Sequence, residues 1–237
     1  MIRTQKGAQS DLLACPASDI LYGGARGGGK SHGILLDFAK HAYKYGGHVA
    51  GVLFRRTYPE LEDLQSKAQR IFPFLGASYK AGARTWNFAS GASLKMRYLQ
   101  NEDSVNSYIG HEYTWMGFDQ LDSWPKQSTV DKLKANLRNP HGIPSRMVST
   151  ANPGGVGHNW IKARYIDPAP PRTLINDNGS ATKCYIPATV YDNEILMKAD
   201  PDYISRLKDS GAEWLVRAWL YGDWDIVAGG MFDDVWK

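Results

Sequence analysis

One stretch of eight residues constrains this chain more than any other. Gly24-Ala25-Arg26-Gly27-Gly28-Gly29-Lys30-Ser31 satisfies G-x-x-x-x-G-K-[ST] at every position. A short apolar run, Ile20-Leu21-Tyr22, precedes it, and from Lys30 to Tyr45 the apolar Ile34, Leu35, Phe38 and Ala42 keep helical spacing. The glycines let the loop wrap an anion with its backbone N–H groups, and the helix directs its positive end at the same anion. In such a loop Lys30 reaches the terminal phosphates of ATP and Ser31 ligates Mg²⁺. Arg26 adds charge toward the γ-phosphate or toward a neighbouring subunit. The chain must therefore fold so that a strand delivers this loop to the start of a helix.

The remaining sequence continues that alternation. His48 to Phe54 reads as a buried strand, and Pro59 to Phe72 regains helical period through Leu61, Leu64, Ala68 and Ile71. TWNFA and SLKMRYL flank Ser90-Gly91 as a hairpin. Tyr113 to Phe118 is an apolar strand, Lys126 to Arg138 a helix, and Arg146 to Thr150 a further strand. This pattern predicts an α/β fold with a mostly parallel central sheet flanked by helices. Ligands of such sheets bind at the carboxyl ends of the strands. Polar clusters stand at three such ends, after Tyr22, Phe118 and Val148. We expect a core over 1–167, a small subdomain over 168–225 with a strand (TKCYIPATV) and helices near 201–209 and 211–221, and a linker over 226–237.

Composition sets outer bounds. The 237 residues carry 28 Lys+Arg and 24 Asp+Glu, are 43% hydrophobic and include only two cysteines, which fits a globular protein without a disulfide framework. Cys15 and Cys184 have no metal-ligand spacing. No apolar run of 18 residues suggests a membrane span, and the N-terminus lacks a signal-peptide core. The first hundred residues carry 14 Lys+Arg against 6 Asp+Glu, and the remainder 14 against 18. A basic front half suits a polyanion, unless the fold mixes the charges again in space.

The second strand end supplies an acid. Tyr113-Thr114-Trp115-Met116-Gly117-Phe118-Asp119 delivers Asp119 in the Walker B manner, to hold Mg²⁺ or its water. The next residue in such ATPases is a Glu that polarises the attacking water. Here it is Gln120, which can hold a water but cannot take its proton. Position 120 reads either as a trapping substitution or as a variant that uses another group, such as Glu112 or Asp122. The chain as given is expected to bind ATP–Mg²⁺ and hydrolyse it poorly.

GGARGGGKS, LFRRTYPEL, GFDQLDSW and STANPGGVGHNW, in that order and spacing, resemble the large terminase subunit of tailed double-stranded DNA bacteriophages. The resemblance covers about residues 5–230. It implies a P-loop NTPase core of the ASCE type with a C-terminal lid subdomain, acting as the ATPase motor that translocates double-stranded DNA into a procapsid. It matches Gln9 to an adenine-contacting glutamine, with Gln5 as competitor, and Ser149 to Pro153, including Asn152, to the motif coupling γ-phosphate loss to movement. Arg55 and Arg56 match a segment facing phosphate or DNA. An arginine acting on a neighbour's ATP is also implied, with Arg138, Arg97 and Arg146 as candidates. Lys126, Lys132 and Lys134 either follow DNA phosphates or solvate a helix face. His32, His111 and His158 read as structural.

The partners implied are double-stranded DNA, the portal protein and procapsid, the small terminase subunit, and further copies in a ring, five by resemblance, with a monomer for the isolated domain. The location implied is the host cytoplasm, with no membrane. The family's nuclease domain is expected to be absent, with Asp223, Asp225, Asp233 and Asp234 reading as linker acids. Two other classes fit the phosphate loop, a helicase-like P-loop ATPase and a non-catalytic nucleotide-binding module.

Overall fold

A computed structural model describes residues 4–177, 181–209, 211 and 213–226. The chain opens with α1 (Ala8–Ala14), β1 (Asp19–Gly24), α2 (Lys30–Tyr45), β2 (Ala50–Arg55) and α3 (Tyr58–Gln69). Three strands follow, β3 (Ala77–Lys80), β4 (Thr85–Phe88) and β5 (Ser93–Tyr98). Next come β6 (Trp115–Phe118), α4 (Gln127–Lys134), β7 (Arg146–Ala151) and α5 (His158–Ile161), which continues as a π-helical turn over Lys162–Ile166. The last elements are β8 (Ile175–Asp177), β9 (Ala181–Ala188), α6 (Glu194–Ala199), α7 (Tyr203–Lys208) and α8 (Glu213–Tyr221).

Nine strands among the described residues form one sheet in the order β3-β4-β5-β2-β6-β7-β1-β9-β8. The six strands from β5 to β9 are parallel to their neighbours, and the edges β3, β4 and β8 are antiparallel. This is the expected mostly parallel α/β sheet. The strands are apolar on both faces because helices cover both. Successive residues alternate between two cores. Ile20 and Tyr22 of β1 join Phe38, Leu53 and Trp115 on one side, while Leu21 joins Val52, Phe54, Met116 and Phe118 on the other.

The expected boundary after residue 167 falls ahead of β8 and β9, which complete the sheet. β9 pairs with β1 over Lys183–Ala188. Pro187 fits within it because β8 pairs only with Ala181–Lys183, so no neighbour asks Pro187 for an N–H. The helix expected over Lys126–Arg138 ends at Lys134. The chain turns there to set Leu137 beside Tyr113 as an isolated parallel bridge. Part of the anticipated linker, residues 227–237 with Asp233 and Asp234, lies outside the described residues. Among the described residues no helix is long and apolar enough to cross a membrane.

Two buried polar clusters fasten the amino-terminal edge of the sheet. Asp37 of α2, 1% exposed, receives Arg146 and the Trp115 Nε1–H. Arg146 spends its other N–H groups on the carbonyls of Leu12, Cys15 and Ala17. Asp19, fully buried, receives Lys134 at 2.7 Å, Arg164 at 3.0 Å and the Tyr165 hydroxyl at 2.7 Å. Because both clusters lie at this edge, the opposite, carboxyl edge is left for the site.

Candidate active site

Gly24 at the end of β1 begins the phosphate loop. Its φ of 125° and the 2.5 Å that a Cβ would leave to the Ala188 carbonyl oxygen permit only glycine there. Ala25 N–H then donates to that same carbonyl at 2.8 Å, which ties the loop to β9. Gly29 takes the left-handed conformation directly before α2, so the first N–H groups of the helix face the loop's interior. Tyr22 braces the Gly28 carbonyl through its hydroxyl at 3.3 Å.

A cavity of about 950 Å³ opens at this edge. Its walls include Arg26 to His32 of the loop, Asp119, Gln120, Asp122 and Ser123 after β6, and Thr150 and Asn152 after β7. Lys67, Arg70 and Ile71 from the end of α3 face it, as do Asn193 and Leu196. The Lys30 ammonium folds back onto the carbonyls of Ala25 and Gly24. Burial pulls its pKa down to about 8, against the opposing fields of Asp122 and Asp119. Burial likewise lowers His32 and raises Asp122.

Asp119 is 1% exposed and heavily engaged. Ser31 Oγ stands 3.2 Å from Asp119 Oδ2, Thr150 Oγ1 donates to Oδ1 at 2.5 Å, and Arg55 pairs with Oδ2 at 2.5 Å. The Ser31 hydroxyl and Asp119 carboxylate make a hard-oxygen pair of the kind Mg²⁺ takes. The Gln120 N–H donates to Thr150 Oγ1 at 2.9 Å, and Gln120 holds a left-handed backbone at φ 61°. β6 and β7 are neighbouring parallel strands, so Thr150 and Asp119 reach the same edge together.

The structure thus brings together Arg26, the loop glycines, Lys30, Ser31, Asp119, Gln120 and Asn152 around one cavity. Gln9, 2% exposed, stands behind the loop, with its amide donating to the Gly29 carbonyl and its oxygen accepting the Gln5 N–H. Gln5 in turn donates to Asn193, which donates to the Gly27 carbonyl at 2.6 Å. Arg26 lies with its guanidinium 3.6 Å over the Trp219 ring of α8, and its N–H donates to the Trp219 carbonyl.

Other candidates lie elsewhere. Arg138 sits at the amino-terminal edge, 3.8 Å from Glu112 and bonded to the Gly110 carbonyl. Arg97 is held by the carbonyls of Ala83, Arg84 and Met96, and Arg146 is held inside the Asp37 cluster. Arg55 faces neither solvent nor DNA, because Asp119 takes it, whereas Arg56 stacks over Trp124. Lys134 is engaged by Asp19. His111 bonds Tyr113, and His158 accepts the Gly154 N–H, as structural histidines do. His32 instead lines the cavity, with an unpartnered buried Nδ1. Sequence reasoning also missed Lys67 and Arg70. Their only signal was helical phase, which does not say where the end of α3 comes to lie.

The family described as terminase large subunit, T4likevirus-type, N-terminal, matches residues 21–236. No curated protein matches the sequence. Among solved structures, the large terminase of a thermophilic bacteriophage superposes with a TM-score of 0.74 at 17% identity, covering 94% of this chain and 54% of that one. The complex of that terminase with ATP-γ-S gives 0.71 at 17%, with 94% and 53% coverage. The large terminase ATPase domain of Thermus phage P74-26 gives 0.61 at 14%, covering 93% of each chain. The phi-29 viral genome packaging motor assembly gives 0.57 at 15%, covering 92% of this chain and 68% of that one. The chain thus spans about half the length of the thermophilic phage terminase.

Proposed function

Because the chain belongs to the family of T4likevirus-type terminase large subunits, as their N-terminal part, we propose that it is the ATPase of a motor that drives double-stranded DNA into a viral procapsid. The observation that supports this best is the meeting of Lys30, Ser31 and Asp119 in one cavity at the carboxyl edge of the sheet. Lys30 and the N–H groups of the loop hold the β- and γ-phosphates, and Arg26 adds charge on the same wall. Ser31 and Asp119 would hold Mg²⁺, which when bound offsets phosphate charge. Gln120 orients the attacking water. Asn193 and Leu196, beside Gly27, offer a wall to the base. Gln9 braces the loop, and would meet adenine only by exchanging its bond to Gly29.

The helices after β9 act as the lid, since α8 touches the loop through Trp219. Loss of γ-phosphate would change the charge that Arg26 faces and so bias its stacking on that helix. Arg138, remote from its own cavity, is assigned to a neighbour's site in a ring, for which five copies are proposed. Further partners are the portal, the procapsid and the small terminase subunit, met in the host cytoplasm. The solved thermophilic phage terminase in complex with ADP and with ATP-γ-S, and the phi-29 packaging motor assembly, support the ligand and setting.

A fluorescent ATP analogue should bind in the presence of Mg²⁺ and be lost in Lys30→Ala. Phosphate release by the native chain should be slow, and Gln120→Glu should raise it by about tenfold or more, toward the roughly 10²–10⁴ that a general base supplies. Tight binding with no turnover in either form would leave a nucleotide-binding module. Absence of binding would contradict the site.

A further inference from the structure

Gln120 cannot accept a proton, so any turnover by this chain needs another base. Two acids stand near in sequence, and the structure separates them. Glu112 lies before β6, half exposed and beside Arg138, at the edge of the sheet away from the phosphates. Asp122 lies on the cavity wall with Lys30 and Asp119.

Asp122 is also the residue that the glycine-rich turn after β7 is built around. Asn152 N–H donates to Asp122 Oδ1 at 2.9 Å, and Gly157 N–H donates to the Asp122 carbonyl at 2.8 Å. Gly155 packs so closely that a Cβ there would stand 2.6 Å from the Asp122 carbonyl oxygen and 2.8 Å from its Cβ. Asn152 thus holds the carboxylate itself, while Gly155 and Gly157 fix the backbone and Cβ that carry it. No ion pair to Asp122 forms among the described residues, although it contributes the largest favourable charge felt by Lys30. An unpaired carboxylate, held rigidly beside the phosphate-binding lysine, is the arrangement of a proton acceptor.

We propose that Asp122 takes the proton of the attacking water in this chain. The inference rests on the nucleotide-site reading above. The water oxygen bonds to the γ-phosphorus while the bond from that phosphorus to the β–γ bridging oxygen breaks. The electron pair of that bond leaves on ADP, beside Lys30. The water's proton passes to Asp122 and from there to solvent. Burial raises the proton affinity of Asp122, which suits it to this exchange. Because Asn152 and Gly157 hold Asp122, movement of the turn after β7 and readiness of the base become one event.

The test is a double-mutant cycle on phosphate release and on Mg²⁺-dependent binding of a fluorescent ATP analogue. Asp122→Asn keeps an acceptor for the Asn152 N–H. It should lower native turnover at saturating ATP by about 10²-fold or more, with the analogue still bound, so that any weakening of affinity through Lys30 does not enter the rate. In the Gln120→Glu background the loss should shrink to a few-fold, because a second carboxylate is then present. Asp122→Ser should repeat the loss, and Asp122→Glu should retain turnover within about tenfold. Equal losses in both backgrounds, or no loss, or binding without any native turnover, would overturn the role of Asp122 and leave the site standing. Absence of analogue binding would overturn both.

Discussion

At the residue scale, phosphate chemistry made the sequence readable. Only glycine suits Gly24 and Gly29, and only a lysine after them reaches a triphosphate, so spacing alone marked the loop. Asp119 was legible because an acid after an apolar strand, common by itself, becomes specific in a chain that also carries a full phosphate loop. Arg55 was not, since its partner depends on β2 and β6 lying side by side. Asp122 was named among alternatives, but its clamp by Asn152, Gly155 and Gly157 exists only once β7 stands beside β6. The depressed Lys30 ammonium carries a prediction. A neutral amine holds phosphate poorly, so above pH 8 nucleotide binding must also take up a proton. Affinity for ADP should therefore fall about tenfold per pH unit between roughly pH 8 and 10, and a titration across that range checks it. A flat profile would mean that Lys30 keeps an ordinary pKa in the free protein.

At the element scale, long periodic segments were legible and short ones were not. α2 runs over Lys30–Tyr45 as its spacing indicated, stopped by Gly46. α3 starts with a capping box between Thr57 and Glu60 and Pro59 in its first turn. α1 is seven residues long and β3 is four, too short for a period to declare itself. What holds these elements in place is polar as well as apolar. Arg146 joins α1, α2 and β7 through Asp37, and no periodicity shows an ion pair between residues so distant. Arg146→Met would leave the Asp37 charge buried without its partner, although Trp115 still donates to it. Unfolding by denaturant should show a loss of about 3–5 kcal/mol. A change below about 0.5 kcal/mol would mean that the cluster relaxes without cost.

At the scale of the whole molecule, the sheet gathers the proposed nucleotide contacts at one edge and the Asp19 and Asp37 clusters at the other. That division was legible as polar clusters at three strand ends. The fourth contributor was not legible, because α8 reaches the loop from far along the chain and sets Trp219 on Arg26. On the proposed reading, this contact carries the state of the phosphates to the lid, and the lid carries it to DNA. The most direct measurement is phosphate release from ATP–Mg²⁺ by the chain and by its Lys30→Ala variant, across a range of double-stranded DNA and salt. Release should be slow and rise with DNA, the rise should fade between about 50 and 200 mM salt as phosphate contacts are screened, and Lys30→Ala should show neither. Equal release by both proteins, or release indifferent to DNA at low salt, would contradict the proposed function.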